Sequence, residues 1–254
     1  MTNTTSELRW RRLPVTVPEA QLSPEMDAQL PATGSPAPWR LAGRGVHWAA
    51  KAHRSDRSLL PPSVRSGAIP LRRMGFAVRY SHTPVGTYNE LGAAIVYLRY
   101  GLVRVHIPFL PVDSAATTRG GRENWSLPKT LATFTGDPDA ESTFTATGPD
   151  WSVSMTTGPA SAARPIRIPA VAGFGPVAAL ASALVGIEQV DGDGRRGLAA
   201  IERLPELKLS MAGARVTVET SGSPALQQLF PSGTYRGGTV TYDDLHLGAA
   251  RIRA

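Results

Sequence analysis

The sequence predicts a mainly β fold of the α+β class, a barrel or curved sheet with accessory helices. Three observations carry that expectation. Gly 25 and Pro 22 in 254 residues require many turns between short elements, which a helical bundle does not tolerate. Several runs alternate apolar and polar residues with period two. No βαβ rhythm, glycine-rich nucleotide loop or repeat of ~40 residues accompanies them.

Residues 1–38 are rich in Pro, Thr and Ser without a sustained period. They read as a loosely ordered N-terminal arm that drapes over a neighbour, leaving a single domain over 39–254. Residues 75–80, 93–100 and 102–107 read as strands, with Gly92 and Gly101 punctuating the second and the Pro108 to Pro111 segment ending the third. Residues 83–91 read as a turn leading into the second strand. Residues 143–147 and 151–156 alternate on either side of Gly148-Pro149-Asp150, a hairpin pattern. Residues 207–211, 214–220 and 239–242 are further strands. The most apolar stretch, 171–187, is interrupted by glycine and shorter than the ~20 residues of a membrane span. It reads as a buried helix over 177–188, ended by Asp191-Gly-Asp-Gly194.

Charge and composition narrow the function. The net charge is +7, but residues 1–80 hold 12 Lys/Arg against five Asp/Glu, and residues 81–254 hold 15 of each. The excess is scattered over the first third, with no nucleic-acid module or aromatic stacking strip beside it, so it reads as a solvated surface rather than a nucleic-acid site. There is no cysteine, which excludes disulfides, thiolate metal sites and a cysteine nucleophile. The five histidines lack ligand spacing, and His106 in its apolar strand reads as structural. Asp191-Gly-Asp-Gly194 lacks the rest of a calcium loop and reads as a turn. Ser126 lies in no nucleophile elbow. The polar start, with Arg9-Trp-Arg-Arg12, carries no secretory pattern. A soluble cytoplasmic protein, binding neither membrane nor nucleic acid, is expected.

Lysine is the exception in an arginine-rich chain: Lys51, Lys129 and Lys208 stand against 24 arginines. A lysine amine can lose its proton and attack a carbonyl, which a guanidinium cannot do. Lys129 closes a segment, 120–129, that also holds Arg122, Glu123, Trp125 and Pro128. The Gly120-Gly121 pair reads as a turn, and Pro128 biases Leu127 toward an extended conformation. If Trp125, Leu127 and Leu131 surround the amine, its charged form is desolvated and its pKa falls. Upstream, Tyr88-Asn89-Glu90 borders an apolar strand, where Glu90 is either an ion-pair partner at the rim or a proton donor and acceptor facing a pocket.

These two segments resemble the acetoacetate decarboxylase-like superfamily. Its signature is Gly-Arg-Glu-x-x-x-x-Pro-Lys with an upstream Tyr-x-Glu. Here Gly121-Arg122-Glu123 leads to Pro128-Lys129, and Glu90 lies 39 residues before the lysine (129 − 90). The resemblance runs from about Trp39 to Phe134 and includes an arginine match at Arg44. It implies that Lys129 forms a Schiff base, that Glu90 is the active-site acid, base or positioning carboxylate, and that Arg44 meets Glu90 or the substrate carboxylate. Tyr88, Arg122, Glu123 and Trp125 would line the substrate pocket. It further implies a homo-oligomeric, cofactor-free carbon–carbon lyase acting on a small oxo acid. Decarboxylation of a β-keto acid such as acetoacetate leads. Aldol condensation–dehydration with pyruvate, or ligand binding without turnover, are the alternatives. The family's decarboxylases carry a second lysine directly after the first, where this chain has Thr130.

Overall fold

The computed structural model describes residues 9–166, 186–203 and 206–253. Fifteen strands form one sheet among these residues. Four long antiparallel strands open it: β1 (Trp39–Lys51), β2 (Ile69–His82), β3 (Tyr88–Arg99) and β4 (Leu102–Val112). Short β5 (Lys129–Leu131) pairs in parallel with β4. Next come β6 (Thr133–Gly136), β7 (Thr143–Gly148), β8 (Trp151–Thr157) and β9 (Arg164–Ile166), then β10 (Ile187–Val190), β11 (Arg196–Ala199) and β12 (Ile201–Glu202). The long pair β13 (Lys208–Ser221) and β14 (Gly233–Leu247), followed by β15 (Arg251–Arg253), completes it. The path runs β15-β11-β10-β4-β3-β2-β1-β14-β13-β8-β7-β6. Its two ends do not pair, so the sheet is curved but open and not a closed barrel. The α-helices that lie wholly within the described residues are α1 (Pro24–Asp27), α2 (Pro62–Arg65), α3 (Ala115–Trp125) and α4 (Pro224–Leu229).

Strand alternation divides the core into two apolar clusters, one on each face of the central strands. Val46, Trp48, Ala77, Leu91, Ile95 and Phe109 join Phe144, Trp151, Val153, Val216 and Phe230 on one face. Trp39, Leu41, Val78, Tyr80, Tyr88, Leu110 and Val112 join Trp125, Leu127 and Tyr242 on the other. The second cluster carries the candidate site.

Several elements differ from the sequence expectation, each for a physical reason. β3 begins at Tyr88, so Tyr88 and Glu90 belong to a strand. The turn before it is confined to Thr83–Gly86, where the Thr83 hydroxyl accepts from the Val85 N–H and donates to the Gly86 carbonyl. β4 runs on through Pro108 to Val112. Pro108 is tolerated because the β3–β4 register slips between the pairs Ala93/Phe109 and Ile95/His106; a bulge residue needs no ladder N–H. Gly120 and Gly121 lie inside α3 rather than in a turn. The helix expected over 177–188 falls mostly outside the described residues, and its last two positions, Ile187 and Glu188, are in β10. Residues 9–38 lie against the chain's own domain, burying Trp10, Leu13, Val17, Ala20 and Leu22.

The hairpin of β7 and β8 and the turn at Asp191 form as expected: Gly148 pairs with Trp151, and the Gly194 N–H bonds the Asp191 carbonyl. Both aspartates of that turn are held by Arg9. His106 is buried with Nδ1 3.1 Å from the Glu188 carbonyl, and burial pulls its pKa down to about 4. No helix among the described residues is long and apolar enough to cross a membrane.

Phe109 is fully buried and meets Trp151 and Phe230 edge-on at 5.1 and 5.9 Å. Phe109→Ala should therefore lower the unfolding free energy by about 3–5 kcal/mol. In a denaturant titration the midpoint should fall while the slope stays unchanged.

Candidate active site

Three elements bring the site together. In the β2–β3 hairpin, Tyr80 pairs with Tyr88 and Val78 with Glu90, which sets Tyr80, Tyr88 and Glu90 on one face. In β5, Lys129 pairs with Leu110 and points to the same side. Helix α3 covers them. It ends at Ser126, which takes a left-handed conformation (φ 53) and bonds back to Arg122 and Gly121; Pro128 then prevents any continuation of the helix. The segment between helix and strand is therefore three residues long and delivers Lys129 directly beneath α3.

The two glycines of α3 make that approach possible. A Cβ on Gly121 would sit 2.7 Å from Lys129 Cδ and 2.9 Å from Cε. A Cβ on Gly120 would sit 2.5 Å from Trp39 Cζ2. Glycine costs helix stability, and here it allows the helix to lie directly on the lysine stem and on a tryptophan ring.

Lys129 is 3% exposed and Glu90 4%. Lys129 Nζ is 2.8 Å from Glu90 Oε2, donates to Thr117 Oγ1 at 2.8 Å and to the Tyr88 hydroxyl at 3.3 Å, and lies 4.7 Å from the centroid of the Tyr88 ring. Tyr80 donates to the other carboxylate oxygen, Glu90 Oε1, at 3.1 Å. The Tyr80 ring meets the Tyr242 ring edge-on at 6.1 Å. Burial holds the Lys129 amine below its ordinary pKa, against the opposing pull of the Glu90 carboxylate. Burial and the same carboxylate keep Tyr80 and Tyr88 well above the ordinary tyrosine range, so both remain neutral hydroxyls. Thr130 is also buried but pairs with Pro111, on the opposite face of β5 from Lys129. A side chain there does not face the amine, and desolvation is the source of its lowered pKa.

The other residues singled out in the sequence lie elsewhere. Arg122 is fully buried and does not line a pocket around the amine. It donates to the Trp10, Arg11 and Lys129 carbonyls at 3.0, 3.1 and 2.8 Å, and burial lowers its pKa to about 10. Glu123 accepts from the Gly34 N–H and from Arg119. Trp125 donates to the Gly248 carbonyl and packs edge-on against Trp39 at 5.0 Å. Arg44 is not the partner of Glu90. It pairs with Asp137 and Asp139 and, with Arg79, Tyr80 and Tyr242, lines a cavity of about 630 Å³. Thr117, Tyr80 and Tyr242 are the members of the cluster that sequence reasoning missed. Thr117 and Gly121 are four residues apart on one helix face, and Tyr80 sits across the hairpin from Tyr88. Both relations require the helix and the register to be known first.

No family model and no curated protein matches the chain, but solved structures do. Acetoacetate decarboxylase from Legionella pneumophila superposes with a TM-score of 0.63 at 15% identity, covering 88% of this chain and 90% of its own. The enduracididine biosynthesis enzyme MppR, complexed with pyruvate, gives 0.62 at 12% identity over 86% of this chain and 91% of its own. The same enzyme complexed with the condensation product of pyruvate and imidazole 4-carboxaldehyde gives 0.59 at 12% identity, over 86% and 90%. The architecture and the Lys129–Glu90 pairing thus stand beside a likeness of fold: the chain has the fold of the acetoacetate decarboxylase-like superfamily.

Proposed function

We propose that the protein is a cofactor-free carbon–carbon lyase that decarboxylates a small β-keto acid, such as acetoacetate, through a Schiff base on Lys129. One observation carries this reading: a lysine amine enclosed by protein, held below its ordinary pKa by burial, with a carboxylate 2.8 Å away to exchange its proton. A surface cation would have no use for that arrangement, and an amine nucleophile requires it.

The steps follow from the contacts. Lys129 passes a proton to Glu90, and the neutral amine attacks the substrate ketone. The carbinolamine hydroxyl takes the proton from Glu90 and leaves as water, giving an iminium. The electron pair of the bond to the carboxylate moves into that iminium, carbon dioxide departs, and an enamine remains. Its carbon takes a proton, and water hydrolyses the resulting iminium to release a ketone and Lys129. Thr117 and Tyr88 hold Nζ in place, and the apolar surroundings favour loss of the carboxylate's charge.

Pyruvate aldol condensation with dehydration is the second reading, supported by the MppR fold likeness and by the pyruvate and the pyruvate condensation product that enzyme holds. Both use the same lysine, and carbon dioxide release separates them. With acetoacetate and borohydride, Lys129 should gain the reduced ligand's mass, and Lys129→Ala should lose the adduct. Unmodified wild-type protein at saturating ligand overturns the Schiff-base reading.

The pair also sets the pH dependence. Attack requires the neutral amine, so adduct formation should rise with pH and level off below the ordinary lysine range. Glu90→Gln removes the charge that raises the amine's pKa and should move that rise to lower pH while slowing turnover by about 100-fold or more. Trapping rates measured across pH in both proteins check the direction. Gly121→Ala should leave the protein folded yet slow trapping at every pH, because the added methyl displaces the lysine stem.

A further inference from the structure

An amine that attacks a ketone leaves charge on two atoms at once. As the nitrogen joins the carbonyl carbon it turns positive, and the carbonyl oxygen turns negative. Out of water both charges are costly, and a group that reaches both atoms cancels them by moving one proton from nitrogen to oxygen. Under the function proposed above, on which this inference rests, Glu90 keeps the proton it took from Lys129 for the later loss of water. A second group has to serve this earlier step.

The contacts of Lys129 Nζ single that group out. An ammonium has three N–H directions, and the structure gives it three oxygen partners. Glu90 Oε2 and Thr117 Oγ1 hold it at 2.8 Å each, and the Tyr88 hydroxyl lies at 3.3 Å. A new bond from nitrogen to carbon has to replace one of them. The contact to Tyr88 is the longest and so the weakest, which makes the Tyr88 side the one on which a ketone enters. The ring behind that hydroxyl is fixed. It is 5% exposed, packs on Tyr80 with centroids 4.5 Å apart, and has Nζ 4.7 Å from its own centroid. One residue along β3, Asp113 accepts from the Asn89 backbone and side-chain N–H groups at 2.7 Å each. The hydroxyl is therefore held beside the nitrogen, where the oxygen of an entering ketone meets it.

We propose that Tyr88 is a catalytic residue that moves a proton from nitrogen to oxygen as the carbinolamine forms. The nitrogen lone pair bonds the carbonyl carbon, and the carbonyl π pair moves onto oxygen. Tyr88 gives its hydroxyl proton to that oxygen and takes one from the nitrogen. A neutral carbinolamine results, and the tyrosine ends as it began. Glu90 then protonates the new hydroxyl, which departs as water. A neutral hydroxyl suits the step because it donates and accepts at once.

Tyr88→Phe keeps the buried ring and removes the oxygen alone. With saturating acetoacetate and a borohydride quench, it should slow iminium formation on Lys129 about 100-fold. Methyl iodide supplies the comparison: it is smaller than the ketone and bonds the same amine with no oxygen to protonate. Methylation of Lys129, read from the mass of its peptide, should keep the wild-type rate and pH dependence in Tyr88→Phe. Equal slowing of trapping and methylation would reduce the hydroxyl to a support for the amine and overturn the proposal. Unchanged trapping would overturn it too. Thr117→Val removes a close partner of the charged amine, so it should move both pH profiles to lower pH. Selective slowing of trapping in Thr117→Val, but not in Tyr88→Phe, would place the proton transfer on Thr117 and overturn the role of Tyr88. A wild-type protein that traps no acetoacetate removes the Schiff-base reading and this step together. Trapping in the wild type without the split in Tyr88→Phe overturns this step alone.

Discussion

The structure depends on the desolvated contact between Lys129 and Glu90. Two opposite charges out of water attract strongly, but taking each from water costs several kcal/mol. Burial therefore presses the amine toward neutrality while the carboxylate holds it charged. The 2.8 Å separation keeps a proton transferable between them. Hydrogen bonds from Tyr80 to the carboxylate and from the amine to Thr117 complete the polar groups that such a pair leaves exposed to a low dielectric. The apolar cluster around it, from Trp39 to Leu247, keeps that dielectric low.

Much of this was legible in the sequence, but unevenly. Period-two runs revealed the strands, and the hairpin across Pro149-Asp150 followed from its turn residues. Lys129 stood out as a rare residue type in an arginine-rich chain, and Glu90 as a carboxylate bordering an apolar strand. What failed were positions where tertiary approach overrides local preference. Gly120-Gly121 carries every local mark of a turn, yet the pair is helical because Trp39 and Lys129 occupy the space of the missing Cβ atoms. Pro108 carries the mark of a strand end, yet a bulge absorbs it.

Long-range register hid the rest. Tyr242 lies 152 positions after Glu90 (242 − 90) and reaches the cluster because β14 pairs with β1. No spacing in the sequence signals that. Arg44 shows the reverse case: a plausible local match whose side chain is engaged by aspartates of the segment between β6 and β7. A charged residue's partner is set by which strands adjoin, and the fold fixes that only after all of them are placed.

Arg122 gives the signature around the lysine another meaning. Its guanidinium gathers the carbonyls of Trp10, Arg11 and Lys129, so one planar cation clasps the N-terminal segment to the backbone that presents the amine. Gly121, beside it, admits the lysine stem. Two of the most recognisable letters of the motif are thus architectural: they shape the seat of Lys129. The motif is therefore a marker of shape, and the side chains that meet the lysine amine lie outside this segment: Glu90 and Tyr88 on β3 and Thr117 on α3.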